Sequence, residues 1–458
     1  YGHFSSIHHG HIRYLKNASK KASKLIVALM GDDDNRFKFS QAERAEGLSS
    51  IEFIYKIVLL QRDELAEAVF KIKPKELVLG KEFENNQNSL IQEVKKSIKS
   101  IKSSITFHAG NVNYATSDFL TSSADQLRIK KYNQFKSACK KQGITEKHIL
   151  DAIDKFKDSR LIIIGDTILD QYSACEPLGM SAEAPLIVVK EIEYKNFVGG
   201  AGVVASNVKF LGAKCNFISV LGSDENSKII RNEMDKIQLN YHFIEDISRP
   251  TTFKKRYMVE NQKIFRVSKL NDEKLSNDIE HKIICKLEEL APKSDGIIVS
   301  DFVYGLITKN IINKILELSK KFKLKLFGDL QCSSQIGNIT QFKNYELLCP
   351  NEKEARLALQ DKESGLEVLS QKLFSKTKCN RLIMKLGGNG FIAYDRETDG
   401  QIVSQSFPAL STNPLDVSGA GDCLLSIMAV GLSSSENMMI AAAASVCGAA
   451  LAVDSVGN

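Results

Sequence analysis

Short apolar runs alternate with helical stretches along most of this sequence, and that alternation admits one broad solution, a parallel sheet with helices packed against it. The run Leu161 to Gly165, rich in Ile and ended by Gly, opens the longer of two such series. Further strands are expected at Cys215 to Leu221, Gly296 to Ser300, Leu324 to Gly328, Tyr345 to Cys349 and Arg381 to Leu386. The earlier series has a Lys-rich helical stretch, Ile12 to Lys24, an apolar run at Leu25 to Leu29 and another at Glu76 to Leu79. Between the two series, Thr121 to Ser159 is polar, Lys-rich and helical in period, which marks a connector. Leu186 to Tyr194 and Phe253 to Val267 break the pattern: they alternate as antiparallel strands do, the second with Asn261-Gln262 at a turn, and suit a small sheet over a site. The fold class expected is α/β, divided into 1–122, 123–158 and 159–458.

At 458 residues the chain exceeds what one core usually organises, and 43% hydrophobic with 26% charged residues supplies a core to each part. The Ala-rich run Met438 to Val453 is too short to span a bilayer and is expected as a buried helix, so no membrane partner is expected. Nine cysteines without a Cys-x-x-Cys spacing suit reduced thiols in a cytoplasm. A net charge of +7, with Lys interleaved among Asp and Glu, favours phosphorylated small substrates over nucleic acid. The first residues carry neither an initiator Met nor a charged-then-apolar leader, and a missing N-terminal piece is expected.

Chemistry concentrates in Asp416-Val417-Ser418-Gly419-Ala420-Gly421-Asp422, followed by the apolar helical run Cys423 to Val430. Small residues before a helix leave backbone N–H groups open to an anion, and the helix start adds positive potential. Gly419, Ala420 and Gly421 thus form a candidate phosphate cradle, and Asp422 stands where a carboxylate accepts a proton from an attacking hydroxyl. The alternative is a Gly-rich helix start capped by Asp. Gly200-Ala201-Gly202-Val203-Val204-Ala205 also fits a dinucleotide fingerprint, with Asp224 downstream, but no strand of a βαβ unit leads directly into it.

At the N-terminus, His8-His9-Gly10-His11 precedes an amphipathic helical stretch. Imidazoles at a helix start are suited to holding an α-phosphate while pyrophosphate leaves. The alternatives are a zinc site, for which matching Cys or carboxylate spacing is lacking, and an affinity-tag remnant.

The segment ending in Asp422 resembles the signature of the ribokinase-like, or PfkB, carbohydrate kinases, and the resemblance extends over about 160–458. It implies a ribokinase-like α/β domain with a small β lid, ATP and Mg²⁺ as cofactors, and a homodimer through the lid. It carries Asp170 over as the acid holding sugar hydroxyls, Gly199, Gly200 and Asn207 as the substrate motif, and Asp301 as a further substrate contact. Asn351 and Glu354 match the element organising magnesium and phosphates, Glu354 through water, and Lys385 and Gly387 match the strand end near the nucleotide. Asn351 with Glu354 three residues on is also a capping-box pattern.

Within that family the likeness is greatest to the subgroup acting on heptoses in ADP-heptose synthesis, with two departures. Val203 replaces an Asn, and Asp329-Leu330-Gln331-Cys332 replaces Asp-Pro-Lys-Gly.

Residues 1–120 resemble the cytidylyltransferase-like nucleotidyltransferases, which implies a Rossmann-like domain whose first strand is missing here. The resemblance makes His8 and His11 catalytic, and Thr116, Ser117 and Lys38 contacts of the nucleoside triphosphate. Together the two resemblances imply a bifunctional enzyme, sugar or sugar-phosphate kinase and nucleotidyltransferase, in nucleotide-activated sugar synthesis. The rival reading is a protein that binds such ligands without turnover.

Overall fold

A computed structural model describes residues 1–4, 7, 9–19, 23–32, 39–61, 64–80, 89–101, 103–108, 124–260, 262–332, 335–397, 400–414 and 416–454. The chain divides into two compact units, Tyr1–Ser123 with Leu359–Lys372, and Ala124–Ala358 with Leu373–Asn458.

The first unit contains helices α1 (His9–Ser19), α2 (Gln41–Ser49), α3 (Leu65–Ile72) and α4 (Ser89–Ser100), with strands β1 (Ile26–Met30), β2 (Lys56–Leu60), β3 (Glu76–Gly80) and β4 (Ser104–His108). β1 pairs with β2 and β3 with β4, both parallel, as strands joined through helices must be. Tyr1 and Gly2 lie between β1 and β3. Gly2 N–H donates to Ala28 O at 3.2 Å, Met30 N–H to Gly2 O at 3.1 Å, and the Tyr1 amine lies 3.5 Å from Val78 O. A slot of about 240 Å³ remains there, lined by Ile26, Ala28, Leu65, Val69 and Leu77 among others.

The second unit opens with α5 (Ala124–Lys141) and α6 (Glu146–Asp154), the stretch read as a connector. Phe135, Ala138, Cys139 and Ile144 are buried in this unit's core with Phe156, so these helices are part of its packing.

Nine strands form its main sheet: β5 (Arg160–Gly165), β8 (Lys214–Leu221), β9 (Tyr241–Glu245), β12 (Gly296–Asp301), β13 (Lys325–Leu330), β14 (Leu347–Leu348), β15 (Arg381–Lys385), β16 (Phe391–Arg396) and β17 (Ile402–Phe407). Their spatial order is 17-16-15-14-13-12-5-8-9, parallel except where β16 runs against both neighbours. The central strands are buried along almost their whole length and mostly apolar, as expected where helices cover both faces. Five of the six strands expected for this series match observed strands closely, whereas Tyr345 to Cys349 contributes only Leu347–Leu348.

A second sheet, ordered 11-10-6-7, consists of β6 (Thr167–Met180), β7 (Ile187–Gly200), β10 (Phe253–Val259) and β11 (Gln262–Lys269). This is the small antiparallel element expected from the alternating stretches, with one parallel pair, β10 beside β6. The turn between β10 and β11 has Glu260 at φ 52°. Helices α7 (Ala201–Phe210), α8 (Glu225–Lys236), α9 (Asn277–Leu290), α10 (Lys309–Phe322), α11 (Glu352–Leu359), α12 (Leu366–Thr377), α13 (Ala420–Ser433) and α14 (Met438–Ala452) complete the fold. α14 is the Ala-rich run and is buried as expected. Among the described residues no helix is long and apolar enough to cross a membrane, and all nine cysteines are unpaired.

β5 must pass close to β12. A methyl group on Gly165 would lie 2.0 Å from Ser300 O and 2.9 Å from Ala201 Cβ, and a backbone carbonyl cannot yield as a flexible side chain does. Gly165→Ala should therefore cost about 1–3 kcal/mol or more, read as a lower urea midpoint with an unchanged m-value.

Candidate functional site

The cradle of the second unit forms at the start of α13. Gly419 at φ 81° turns the chain into the helix, a left-handed conformation that favours glycine. No side chain caps this helix, so its first N–H groups are left for another acceptor. Asp422 in the first turn is 5% exposed, and its Oδ1 accepts from Gln331 Nε2 at 2.8 Å. Burial, and then the charge of Asp329, push its carboxyl up to about 7, while Lys385 and the Gln331 hydrogen bond oppose the rise. A buried carboxylate near neutrality is what a general base requires.

Asp329, at the C-terminal end of β13, has no exposed side-chain surface, and both its oxygens accept from Lys385 Nζ at 2.8 Å. Lys385 ends β15. Burial works against its ammonium, yet Asp329 and Glu354 hold it above the usual lysine value. Asn351 and Glu354 cap α11 reciprocally: Glu354 N–H donates to Asn351 Oδ1 and Asn351 N–H to Glu354 Oε2, both at 2.8 Å. The other Glu354 oxygen lies 3.4 Å from Cys332 N. The capping geometry is thus present, and it fixes a buried carboxyl that burial pushes up. Gly387 and Gly388 face open space, since an added Cβ at either meets nothing within 4 Å.

The lid strands carry the residues expected to meet a sugar. Asp170 on β6 pairs with Arg256 on β10, and a Cβ on Gly199 would collide with the Asp170 carboxylate at 2.1 Å. Gly200 at φ 66° starts α7. Asn207 stands apart: seven residues into α7, it lies about 10 Å along the helix from Gly200. Asp301 is turned to Val303 N–H at 2.8 Å and Gln341 Nε2 at 3.1 Å, and burial beside Asp166 pushes its carboxyl up.

The dinucleotide alternative is not what these glycines serve. The strand before them is antiparallel to its neighbour, a Cβ on Gly202 would lie 2.5 Å from Val198 Cγ1, and Asp224 caps α8.

Several site residues were not singled out from sequence. Arg256 and Lys254 alternate along β10, and Lys254, 3% exposed, packs over the Phe302 and Tyr304 rings. Lys263 on β11 reaches Asp416 Oδ1 at 2.9 Å, and Tyr172 OH donates to Asp416 Oδ2 at 2.8 Å. The alternating cations of the lid strands were the available signal.

In the first unit, His11 lies on α1, half-buried and edge-on to Phe4 at 5.2 Å. The buried Arg44 on α2 donates to His3 O, to Met30 O at 3.0 Å and to Asp32 Oδ1 at 2.5 Å, binding the loop after β1. Gln41 Nε2 reaches Leu29 O and Leu60 O, both at 3.0 Å. His8, Lys38, Thr116 and Ser117 lie outside the described residues.

Fold and cluster together define a lidded α/β domain of the carbohydrate-kinase class. Residues 158–458 match the pfkB family carbohydrate kinase profile, and the chain belongs to that family. Residues 1–172 match the cytidylyltransferase-like profile. The chain is 29% identical over 308 residues to Bifunctional protein HldE of Geobacter metallireducens, covering 66% of this chain and 61% of that protein. It is 28% identical over 303 residues to HldE of Campylobacter jejuni, covering 65% and 62%. The aligned residues therefore span about three fifths of these relatives.

Among solved structures, Escherichia coli phosphofructokinase-2 in complex with substrates and products is similar at TM-score 0.52 and 15% identity, covering 64% of this chain and 93% of that one. Arabidopsis thaliana ribokinase complexed with ribose and ATP has TM-score 0.51 and 18% identity, covering 65% and 94%.

The raised Asp422 carboxyl has a consequence for stability. Its folded value of about 7 exceeds the unfolded 3.8, so the folded protein binds this proton more tightly. Stability contributed by the bound proton is lost as pH rises between these values. Asp422→Asn should therefore be more stable than the native protein at pH 8, on the order of 2 kcal/mol, with the gain gone at pH 4. Thermal melts at the two pH values check this.

Proposed function

We propose that the second unit transfers the γ-phosphoryl group of ATP to a hydroxyl of a sugar phosphate, and that the first unit joins a nucleoside monophosphate to a sugar 1-phosphate with release of pyrophosphate. The observation that carries this reading is the Asp422 carboxylate, buried beside the uncapped start of α13 and hydrogen-bonded to Gln331. In the kinase step the substrate O–H gives its proton to Asp422 as its oxygen bonds to the γ-phosphorus. The bond from that phosphorus to the β,γ-bridging oxygen breaks, and ADP leaves.

The helix-start amides receive negative charge on the transferring group. Asp170, set by Arg256 and admitted by Gly199, would accept hydrogen bonds from sugar hydroxyls. Arg256 and the buried Lys254 share one face of β10, which favours a substrate carrying its own phosphate. A lid over the site excludes water as a competing acceptor.

Among the described residues no three His, Cys, Asp or Glu side chains converge as metal ligands. Mg²⁺ would thus be held chiefly by the nucleotide's phosphates, with Glu354 through water, and would supply charge neutralisation. In the first unit, His11 at the start of α1 would steady the α-phosphate during direct attack by the sugar 1-phosphate, with His8 as its partner in the motif.

The names of the HldE relatives and the presence of both matched profiles in one chain support a role in nucleotide-activated, ADP-heptose-like sugar synthesis; the transferase precedes the kinase, the reverse of the order expected for the heptose enzyme, and a common sugar phosphate can couple the two activities in either order. A cytoplasmic setting suits nine unpaired cysteines. Leu178, Met180, Leu186, Ile187, Ile192 and Tyr194 on the lid strands and their connection are each about 60% exposed, an apolar surface suited to a second copy of the lid.

Hexose and heptose phosphates supplied with ATP or CTP should yield ADP and pyrophosphate from the native protein. Asp422→Asn should lower sugar-dependent ADP formation by about 10²–10⁴-fold and spare pyrophosphate release, and His11→Ala should do the reverse. Absence of both activities across the panel would establish a binding protein instead. Ile192→Glu should convert a dimer to a monomer in sedimentation velocity.

A further inference from the structure

We propose that Lys385 is a catalytic residue of the phosphoryl transfer, its ammonium passing from Asp329 to the γ-phosphoryl group when ATP occupies the cradle. The inference rests on the kinase reading of the second unit and adds to it the cation that bears the transferring charge.

Three carboxyl groups, Asp329, Glu354 and Asp422, lie around one ammonium in this cleft, with Asp170 contributing from the lid side. Asp329 hydrogen-bonds that ammonium through two equal 2.8 Å contacts, and the Glu354 charge also favours it. A purely structural pair would be sealed on both sides. Here Asp329 has no exposed side-chain surface, whereas 15% of the Lys385 side chain remains exposed. The open side is the cradle itself. A Cβ placed on Gly421 would lie 3.4 Å from Lys385 Nζ and 3.7 Å from its Cδ, so the lysine packs along the first turn of α13. A phosphate seated on the first amides of that helix therefore lies within reach of Nζ.

The same placement sets Gly421 against the lysine, where a Cβ would meet its ammonium at ordinary van der Waals distance. It also gives a role to Gln331, which donates an uncharged amide to Asp422 and leaves Lys385 as the cation of this cluster. In the transfer, the bond between γ-phosphorus and the β,γ-bridging oxygen breaks while that from the substrate oxygen forms. The proton goes to Asp422, and Lys385 stays charged throughout, held so by Asp329 and Glu354.

Lys385→Met leaves Asp329 buried and unpaired, which can itself unfold the site. The test therefore uses Asp329→Asn, Lys385→Arg and the double variant Asp329→Asn/Lys385→Met, which removes both charges together. Binding of ADP and of the β,γ-imido analogue of ATP is measured by calorimetry. The double variant should lose at least about tenfold in affinity for the imido analogue and much less for ADP, because only the former carries a γ-phosphate. Asp329→Asn, which frees the ammonium, should keep or improve analogue binding, and Lys385→Arg should restore part of it.

The acid limb of kcat/KM against pH gives a second readout. Asp422 faces Asp329, Lys385, Gln331 and Asp170, so losing Asp329's charge moves the limb to lower pH in Asp329→Asn. Removing both charges moves it back toward the native position, and lowers kcat by about 10²–10³-fold. Equal losses for ADP and the imido analogue, or no loss for either, would overturn the role of Lys385. Absence of sugar-dependent ADP formation in the native protein would instead overturn the kinase reading, with analogue binding still reporting on the lysine.

Discussion

One carboxylate joins the lid of the second unit to its phosphate cradle. Asp416 accepts from Tyr172 on β6, from Lys263 on β11 and from the backbone N–H of Ser418, and its side chain is 3% exposed. These partners hold Asp416 well below the usual carboxylate range despite the opposing effect of burial. The charge is therefore retained through the neutral and mildly acidic range, and with it the attachment of the lid strands. The turn at Gly419 follows three residues later, so the same knot that seats the lid also fixes where the chain enters α13.

The carboxyl beyond that turn, Asp422, obeys the opposite rule. Asp422 accepts one hydrogen bond from an uncharged amide, and burial and the neighbouring Asp329 charge outweigh the opposing charge of Lys385. Six positions along the chain lead from a carboxylate held well below the usual range to one raised to about 7. The difference comes from the surroundings: a tyrosine hydroxyl, an ammonium and an amide N–H lower the first, while burial and the Asp329 charge raise the second against Lys385 and Gln331. Stability is sacrificed at Asp422 in a manner expected of sites that do chemistry, and the surrounding apolar helix, buried along almost its whole length, supports the strain.

Most of the architecture was legible in the sequence because buried parallel strands announce themselves as unbroken apolar runs, as Leu161 to Gly165 does. Strands with mixed burial were harder. β6 begins inside the core and ends exposed, and its residues Asp170, Gln171 and Pro177 conceal a strand of fourteen residues. β16 and β17, which follow the glycine turn at 387–390, were not among the expected strands. For the site, local spacing identified Asp422, its cradle and the Asn351–Glu354 cap, since all three are helix-start patterns. Contacts across the fold left no local trace: Gln331 reaches Asp422 over ninety-one positions and Lys263 reaches Asp416 over one hundred and fifty-three. A lysine at the end of β15 looks the same in sequence whether it faces solvent or Asp329.

Buried cations serve different ends in the two units. Arg44 in the first is 3% exposed, and its guanidinium is committed to carbonyls of His3, Phe39 and Met30 and to the Asp32 carboxylate. A fork engaged on backbone oxygens has no geometry left for a phosphate, so Arg44 shapes the ends of β1 and its loop instead of meeting a ligand. Lys385 has a single carboxylate partner and an open side, and an ammonium has no fixed fork to satisfy. The contrast follows from the residue types: the planar donor array locks a backbone turn, while the point charge on a flexible stem can exchange one anion for another.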